Sequence, residues 1–164
     1  MGKRGYPSSR EVFDIPLLIR HPEGIGAGTK NKFLVSHIDI SATILDFARV
    51  NLTKSIDGKS FWKPVIENGK PIRDHVTIAW GPAVTVIDDE WWLNCKINGR
   101  GPFLYNLAKG PFLKKNIAEE NKDIVNHLFA KAIADAGGSF PDYLLELAKK
   151  EADFPGCSPI AARL

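Results

Sequence analysis

Five residues, Pro16-Leu17-Leu18-Ile19-Arg20, constrain this 164-residue chain more than any others. They form an unbroken apolar run closed by His21-Pro22. A run without polar alternation suits a strand covered on both faces, which implies a sheet larger than the chain itself supplies. A Gly-rich and then basic connection from Pro22 to Lys32 follows, and then a second element. Ser36 and Asp39 offer side-chain oxygens to the free amides of a helix start, and Ile40, Ile44, Phe47 and Ala48 repeat at three- and four-residue spacing. The predicted helix therefore has one apolar face that needs a partner.

Beyond it, Asn51 to Lys59 reads as a polar connector with a turn at Asp57-Gly58, and Ser60 to Ile66 as a short helical turn. The pattern changes near Pro71 to His75, where a domain boundary is expected. Val76–Trp80, Ala83–Ile87, Trp91–Ile97 and Phe103–Asn106 are rich in β-branched and aromatic residues, separated by Gly81-Pro82, Asp88-Asp89-Glu90 and Asn98 to Gly101. Those separators favour hairpins, hence a four-stranded antiparallel sheet. Asn121 to Ala136 then reads as a helix with Ile124, Val125, Leu128, Phe129, Ala132 and Ile133 on one stripe, stopped by Gly137-Gly138 and covering one face of that sheet. Tyr143 to Lys150 makes a short final helix behind Pro141. Trp91-Trp92 puts one indole on each face of a strand, one in the core and the other exposed or at an interface, where Arg100 is a neighbour for a stacked ligand but domain packing is the plainer use.

Composition excludes several function classes. An apolar fraction of 44% with 25% charged residues is that of a globular chain. A net charge of +3 with no basic run gives no footprint for nucleic acid or an anionic membrane. No apolar stretch approaches a bilayer span, and the first residues lack a signal core, so the chain as written is expected to stay in the cytoplasm. Cys95 and Cys157 are too few for a thiolate metal site, no disulfide is expected, and Cys95 reads as a small apolar core residue. His21, His37, His75 and His127 have neither metal-binding spacing nor a triad arrangement. His21 is a secondary candidate for facing a substrate, because it lies near the end of the first strand, where such folds bind ligands. Asp39 and Asp46 share a helix face but read as a cap and a solvated residue, and no metal site is expected.

Several segments resemble the sulfatase family of the alkaline phosphatase superfamily, and only its C-terminal portion. Gly2-Lys3, Arg10-Glu11, Ile15 to Arg20, Pro22 to Gly24, Ser36 to Asp39 and Leu45 to Ala48 stand in the order of that family's late catalytic segment. Leu104-Tyr105-Asn106-Leu107 and Asn116-Ile117-Ala118 are similar to its Leu-Tyr-Asp-Leu and Asn-Leu-Ala motifs. Between them, Lys109-Gly110-Pro111-Phe112 replaces the family's usual Asp-Pro-x-Glu, which leaves the substrate open.

The resemblance implies an α/β architecture. Residues 1–72 would be the end of the catalytic α/β domain, with a strand and helix of an alkaline-phosphatase-like sheet. Residues 73–164 would be an α+β C-terminal subdomain. It implies sulfate-ester hydrolysis by a complete protein, with phosphonate monoester or phosphodiester hydrolysis, or a noncatalytic assembly module, as alternatives. It implies that Lys3 contacts the sulfate group, although in an isolated chain a lysine so placed reads as a solvated residue. Calcium and formylglycine are implied for a complete enzyme. The family's calcium ligands and nucleophile lie upstream of the segments matched here, and Cys157-Ser158-Pro159-Ile160-Ala161 lacks the arginine of the Cys-x-Pro-x-Arg motif. This chain alone is therefore expected to be inactive. Its expected partner is the upstream sulfatase region, or a second copy through an exposed sheet edge.

Overall fold

A computed structural model describes residues 13–67, 69–109 and 115–150. They fall into two compact units. One holds residues 17–76, and the other holds residues 13–16 together with the described residues from 77 onward.

The larger unit is built on strands β1 (His75–Trp80), β2 (Ala83–Asp88), β3 (Trp91–Lys96) and β4 (Phe103–Asn106), which neighbour one another in chain order. Turn chemistry explains the order. The Asp88 carboxylate accepts the amides of Glu90 and Trp91 at 2.9 and 2.6 Å, closing the β2–β3 hairpin as an Asx turn. The antiparallel register sets Val84 opposite Cys95, Val86 opposite Leu93, and Leu93 opposite Leu104. Because side chains alternate, these residues form one apolar face. Helix α3 (Lys122–Asp135) lays Leu128 and Ala132 on it, and α4 (Asp142–Lys149) adds Ala148. The expected helix stripe is thus the core stripe.

Glycine ends α3 for a conformational reason. Gly137 has φ +81°, its amide donates to Ala134 O at 3.0 Å, and the Gly138 amide donates to Ile133 O at 2.9 Å. This is a Schellman end, whose left-handed position favours glycine.

The opposite face of the sheet carries Ile87, Trp92 and Tyr105 in one row, with Phe13 against Trp92 at a centroid distance of 5.8 Å. Trp92 is fully buried there, while Trp91 packs half-buried against the helix-covered core. Both indoles of the pair are thus used in packing, the plainer of the two uses the sequence offers. The exposed indole is Trp80, at the end of edge strand β1. Burial pushes the Tyr105 hydroxyl and the Cys95 thiol above their ordinary values, the thiol to about 12. Cys95 is a free, buried thiol, as expected of a packing residue.

Residues 17–76 contain helices α1 (His37–Phe47) and α2 (Trp62–Ile66). Residues 16–20 lie in neither helix nor strand, in contrast to the predicted buried strand. Leu17, Leu18 and Ile19 are exposed, Leu18 to 94%. A strand exists only where a neighbour takes its backbone hydrogen bonds, and the described residues supply none. The expected apolar face of α1 is also open. Ile44 and Phe47 are 61% and 52% exposed, whereas the buried residues of the helix are Asp39, Ala42 and Thr43.

Candidate functional site

The inverted burial of α1 has its origin in Asp39, whose side chain is fully buried. One carboxylate oxygen accepts the Ser36 amide at 2.7 Å, so Asp39 reaches back to the residue preceding the helix. This is the Asp39 arm of a capping box formed with Ser36. The second oxygen accepts the Lys59 amide at 2.8 Å and a hydrogen bond from the Arg73 guanidinium. A buried carboxylate is stable only when paired and hydrogen-bonded, and here two backbone donors and one cation meet that requirement.

The same helix face organises the connector behind it. Thr43 Oγ1 donates to Asp39 O at 2.6 Å and accepts the Phe61 amide at 3.1 Å. The Ser60 hydroxyl donates to Asp46 at 2.6 Å. Gly58 lies so close to α1 that a Cβ there would stand 2.1 Å from the Ile38 carbonyl oxygen. Asp57-Gly58-x-Ser60 is therefore a docking segment for the polar side of α1, and the glycine is required by backbone approach.

His21 lies in the same unit. Its ring stacks on Trp62 at 5.1 Å with an interplanar angle of 18°, and Phe47 meets Trp62 edge-on at 4.6 Å. Nδ1 of His21 accepts the Glu23 amide at 3.1 Å, so a neutral ring carries its proton on Nε2. One face of the imidazole is thus occupied by Trp62, and Nε2 is the end through which it could donate.

The family-like motifs at the far end of the chain have an equally local reason. The Asn116 side chain accepts the Leu104 amide at 2.9 Å and the Ala118 amide at 3.1 Å, and donates to Pro102 O at 3.0 Å. The Ile117 amide donates to Leu104 O at 3.0 Å. Asn116-Ile117-Ala118 thereby takes the place of a further strand on the β4 edge.

Lys3 and Cys157 lie outside the described residues. Among the described residues, no three His, Cys, Asp or Glu side chains are grouped so as to hold a metal ion. Asp39 is committed to three donors and Asp46 to Ser60, so the carboxylates of α1 do not fit a calcium site, which needs six or more converging oxygens. What these side chains do chemically is hold backbone, and no nucleophile or general base is assembled among them. Sequence reasoning placed Asp39 as a cap but missed Arg73, which stands 34 residues away and carries no local signal.

Comparison with known proteins adds to this. The family model described as N-sulphoglucosamine sulphohydrolase, C-terminal, matches residues 6–80. An N-acetylglucosamine-6-O-sulfatase of Bacteroides thetaiotaomicron is 37% identical over 79 residues, covering 45% of this chain and 14% of that protein. A protein solved in complex with its substrate D-glucosamine-2-N,6-O-disulfate aligns with a TM-score of 0.51 and 19% identity, over 63% of this chain and 25% of that one. Another, solved in complex with a k-i-k-neocarrahexaose, aligns with a TM-score of 0.58 and 16% identity, over 80% of this chain and 32% of that one. At these identities the structural likeness concerns fold alone. The chain therefore spans a small part of the curated relative and a quarter to a third of these solved neighbours.

Proposed function

We propose that this chain, which carries the C-terminal sulfatase pattern, supplies the C-terminal portion of a hydrolase that cleaves sulfate esters of sugars. The match over residues 6–80 carries the reading, because it includes the Ser36 to Asp39 helix start and the Gly58-x-Ser60 segment that the Asp39 hub ties together. The sugar-sulfate class follows the names of the relatives, an N-acetylglucosamine-6-O-sulfatase and a protein holding a disulfated glucosamine. Residues 1–72 would close the catalytic α/β domain, and residues 73–164 would form its C-terminal subdomain.

Within that protein Lys3 contacts the sulfate group. Its ammonium offers a point charge with mobile donors to the oxygens that gain negative charge as the ester bond breaks. His21 is the secondary candidate, with Nε2–H as its free donor. Calcium and formylglycine belong to the complete enzyme. On this reading the chain on its own is inactive, and its share of the chemistry is to position Lys3.

The test has two arms. The isolated chain is assayed on an aryl sulfate and on N-acetylglucosamine-6-sulfate with and without calcium, and no turnover is expected. A chimera of the Bacteroides relative, with residues 1–80 of this chain in place of its matched segment, should hydrolyse the sugar sulfate. Lys3→Ala in that chimera should lower kcat/KM by about 10²–10³. Calcium-dependent turnover by the isolated chain would overturn its inactivity, and a folded chimera selective for phosphonate esters would overturn the sulfatase reading.

A further inference from the structure

The sheet unit buries apolar side chains on both of its faces, in the cluster under α3 and in the Ile87, Trp92, Tyr105 row. Trp80 departs from that pattern. It is 75% exposed, the highest value among the large apolar side chains described in this unit.

Strand alternation identifies its neighbours. Ile78 packs with the Ile87, Trp92, Tyr105 row, so Trp80, two positions on, stands on the same face. Ala83 and Lys96 pair across β2 and β3, and each lies four positions from a member of that row, Ile87 and Trp92, so both share the face. The two-residue turn Gly81-Pro82 joins Trp80 to Ala83. This end of the sheet therefore presents an indole, a methyl group and an ammonium on neighbouring strands β1, β2 and β3, with roughly 10 Å between the outer two. Because Ala83 carries only a methyl, the middle of the row is a shallow recess between two long side chains.

The backbone beneath it is fixed. The Ile97 amide donates to Pro82 O at 2.8 Å, the Gly99 amide to Lys96 O at 2.8 Å, and the Lys96 amide to Arg100 O at 3.0 Å. Charge is distributed unequally along the same strands. Residues 80–83 and 96–102 include Lys96 and Arg100 and no carboxylate, whereas the turn at the other end of β2 and β3 is Asp88-Asp89-Glu90. Lys96 makes no ion pair among the described residues.

From this arrangement we infer that Trp80, Ala83 and Lys96 form a contact site for a sulfated sugar ring. The indole stacks on the apolar C–H face of the ring, the Ala83 recess admits the ring edge, and the Lys96 ammonium pairs with a sulfate oxygen. The inference rests on the proposed function for the sugar class, and adds the residues that read both the ring and its charge. An indole supplies a broad, rigid apolar face, and an ammonium is a point charge with mobile donors that tolerates any sulfate orientation. One indole and one cation cover far less than the roughly 800 Å² per partner of a stable protein interface, so the occupant is a small ligand.

Titration of the isotope-labelled full chain tests this, read at the tryptophan indole N–H resonances and the Lys96 amide. The probes are N-acetylglucosamine-6-sulfate, N-acetylglucosamine and inorganic sulfate at matched ionic strength. The sulfated sugar should shift the Trp80 indole saturably. Unsulfated sugar should bind about twofold to fivefold more weakly, the worth of an exposed charge pair. Sulfate alone should leave the Trp80 indole unmoved. Trp80→Ala, followed at the Lys96 amide, should weaken binding about tenfold, and Trp80→Phe should recover part of it. Lys96→Gln should erase the preference for the sulfated sugar, while unshifted Trp91 and Trp92 resonances show the sheet intact.

An unmoved Trp80 would overturn the inference. So would undiminished binding by Trp80→Ala, a sulfate preference that survives Lys96→Gln, or a response to sulfate alone equal to that of the sugar. The two readings fail separately. Binding at Trp80 beside a chimera that hydrolyses no sulfate ester supports the contact site and sinks the hydrolase, whereas an active chimera beside an unmoved Trp80 does the reverse.

Discussion

Asn116→Ala should be among the most damaging single polar substitutions in the sheet unit. Its amide oxygen serves the backbone N–H groups of Leu104 and Ala118, and its amide nitrogen serves Pro102 O. Leu104 is fully buried, so its N–H has no water to turn to once the oxygen is removed. Stranding such a donor costs about 1–3 kcal/mol. The two remaining bonds, nearer to solvent, each contribute about 0.5–1.5 kcal/mol. The sum is a loss of about 2–6 kcal/mol, a large share of the stability of a small domain. Asn116→Asp separates the contributions. It keeps an acceptor for the Leu104 and Ala118 amides but loses the donor to Pro102 O, so it should be milder than alanine by what those two bonds contribute, about 1.5–4.5 kcal/mol, less the repulsion between the new carboxylate and Pro102 O. Urea unfolding followed by tryptophan fluorescence reports on this directly, since Trp91 and Trp92 lie on the neighbouring strand β3. Equal slopes with shifted midpoints would mean a change of stability alone. An alanine variant within about 0.5 kcal/mol of the parent, or an aspartate variant as damaged as the alanine one, would refute the reasoning.

Three further outcomes are expected. Burial holds the Cys95 thiol protonated up to about 12 against an ordinary 9.0, so between these values the folded state binds more protons than the unfolded. The stability linked to Cys95 is thus fully present below pH 9 and falls as pH rises through that window, by at most about 1.4 kcal/mol per pH unit; urea midpoints from pH 8 to 11 should show this slope for the parent and a shallower one for Cys95→Ala. Arg49 follows α1 with φ 55°, and the Val50 amide donates to Leu45 O at 3.0 Å in the same Schellman pattern that ends α3. Arg49→Gly relieves a left-handed conformation costing about 1 kcal/mol, so α1 amides should exchange about fivefold more slowly; unchanged exchange would mean that the helix end is not formed as described. Gly58→Ala sets a methyl against backbone, and in the active chimera it should lower the thermal midpoint by several degrees, read by calorimetry.

Much of the sheet unit was legible in the sequence. Gly81-Pro82, Asp88 to Glu90 and Asn98 to Gly101 separate runs that become β1 to β4, and Leu128 and Ala132 fall on the stripe that the helical period marks. These signals work because a turn residue or a period acts within a few positions of itself. The likeness to a C-terminal sulfatase portion was legible for a similar reason, since its motifs are short segments whose side chains bind nearby backbone. Asn116 beside Ala118 is one instance, and Asp39 beside Ser36 is another. Of the two named site residues, Lys3 lies outside the described residues, and His21 is found against Trp62, a ring 41 positions further along that its own neighbours do not announce.

The sequence by itself determined which segments pair as hairpins, which stripe of α3 is apolar, and where α3 stops. Tertiary structure alone decided which side of α1 is buried. Periodicity ranks that helix by its apolar stripe, yet the partners that bury it are the Lys59 amide and the Arg73 guanidinium, 20 and 34 residues beyond Asp39. A buried carboxylate must find its donors wherever the chain brings them, and an apolar stripe stays open where the described residues bring no surface against it.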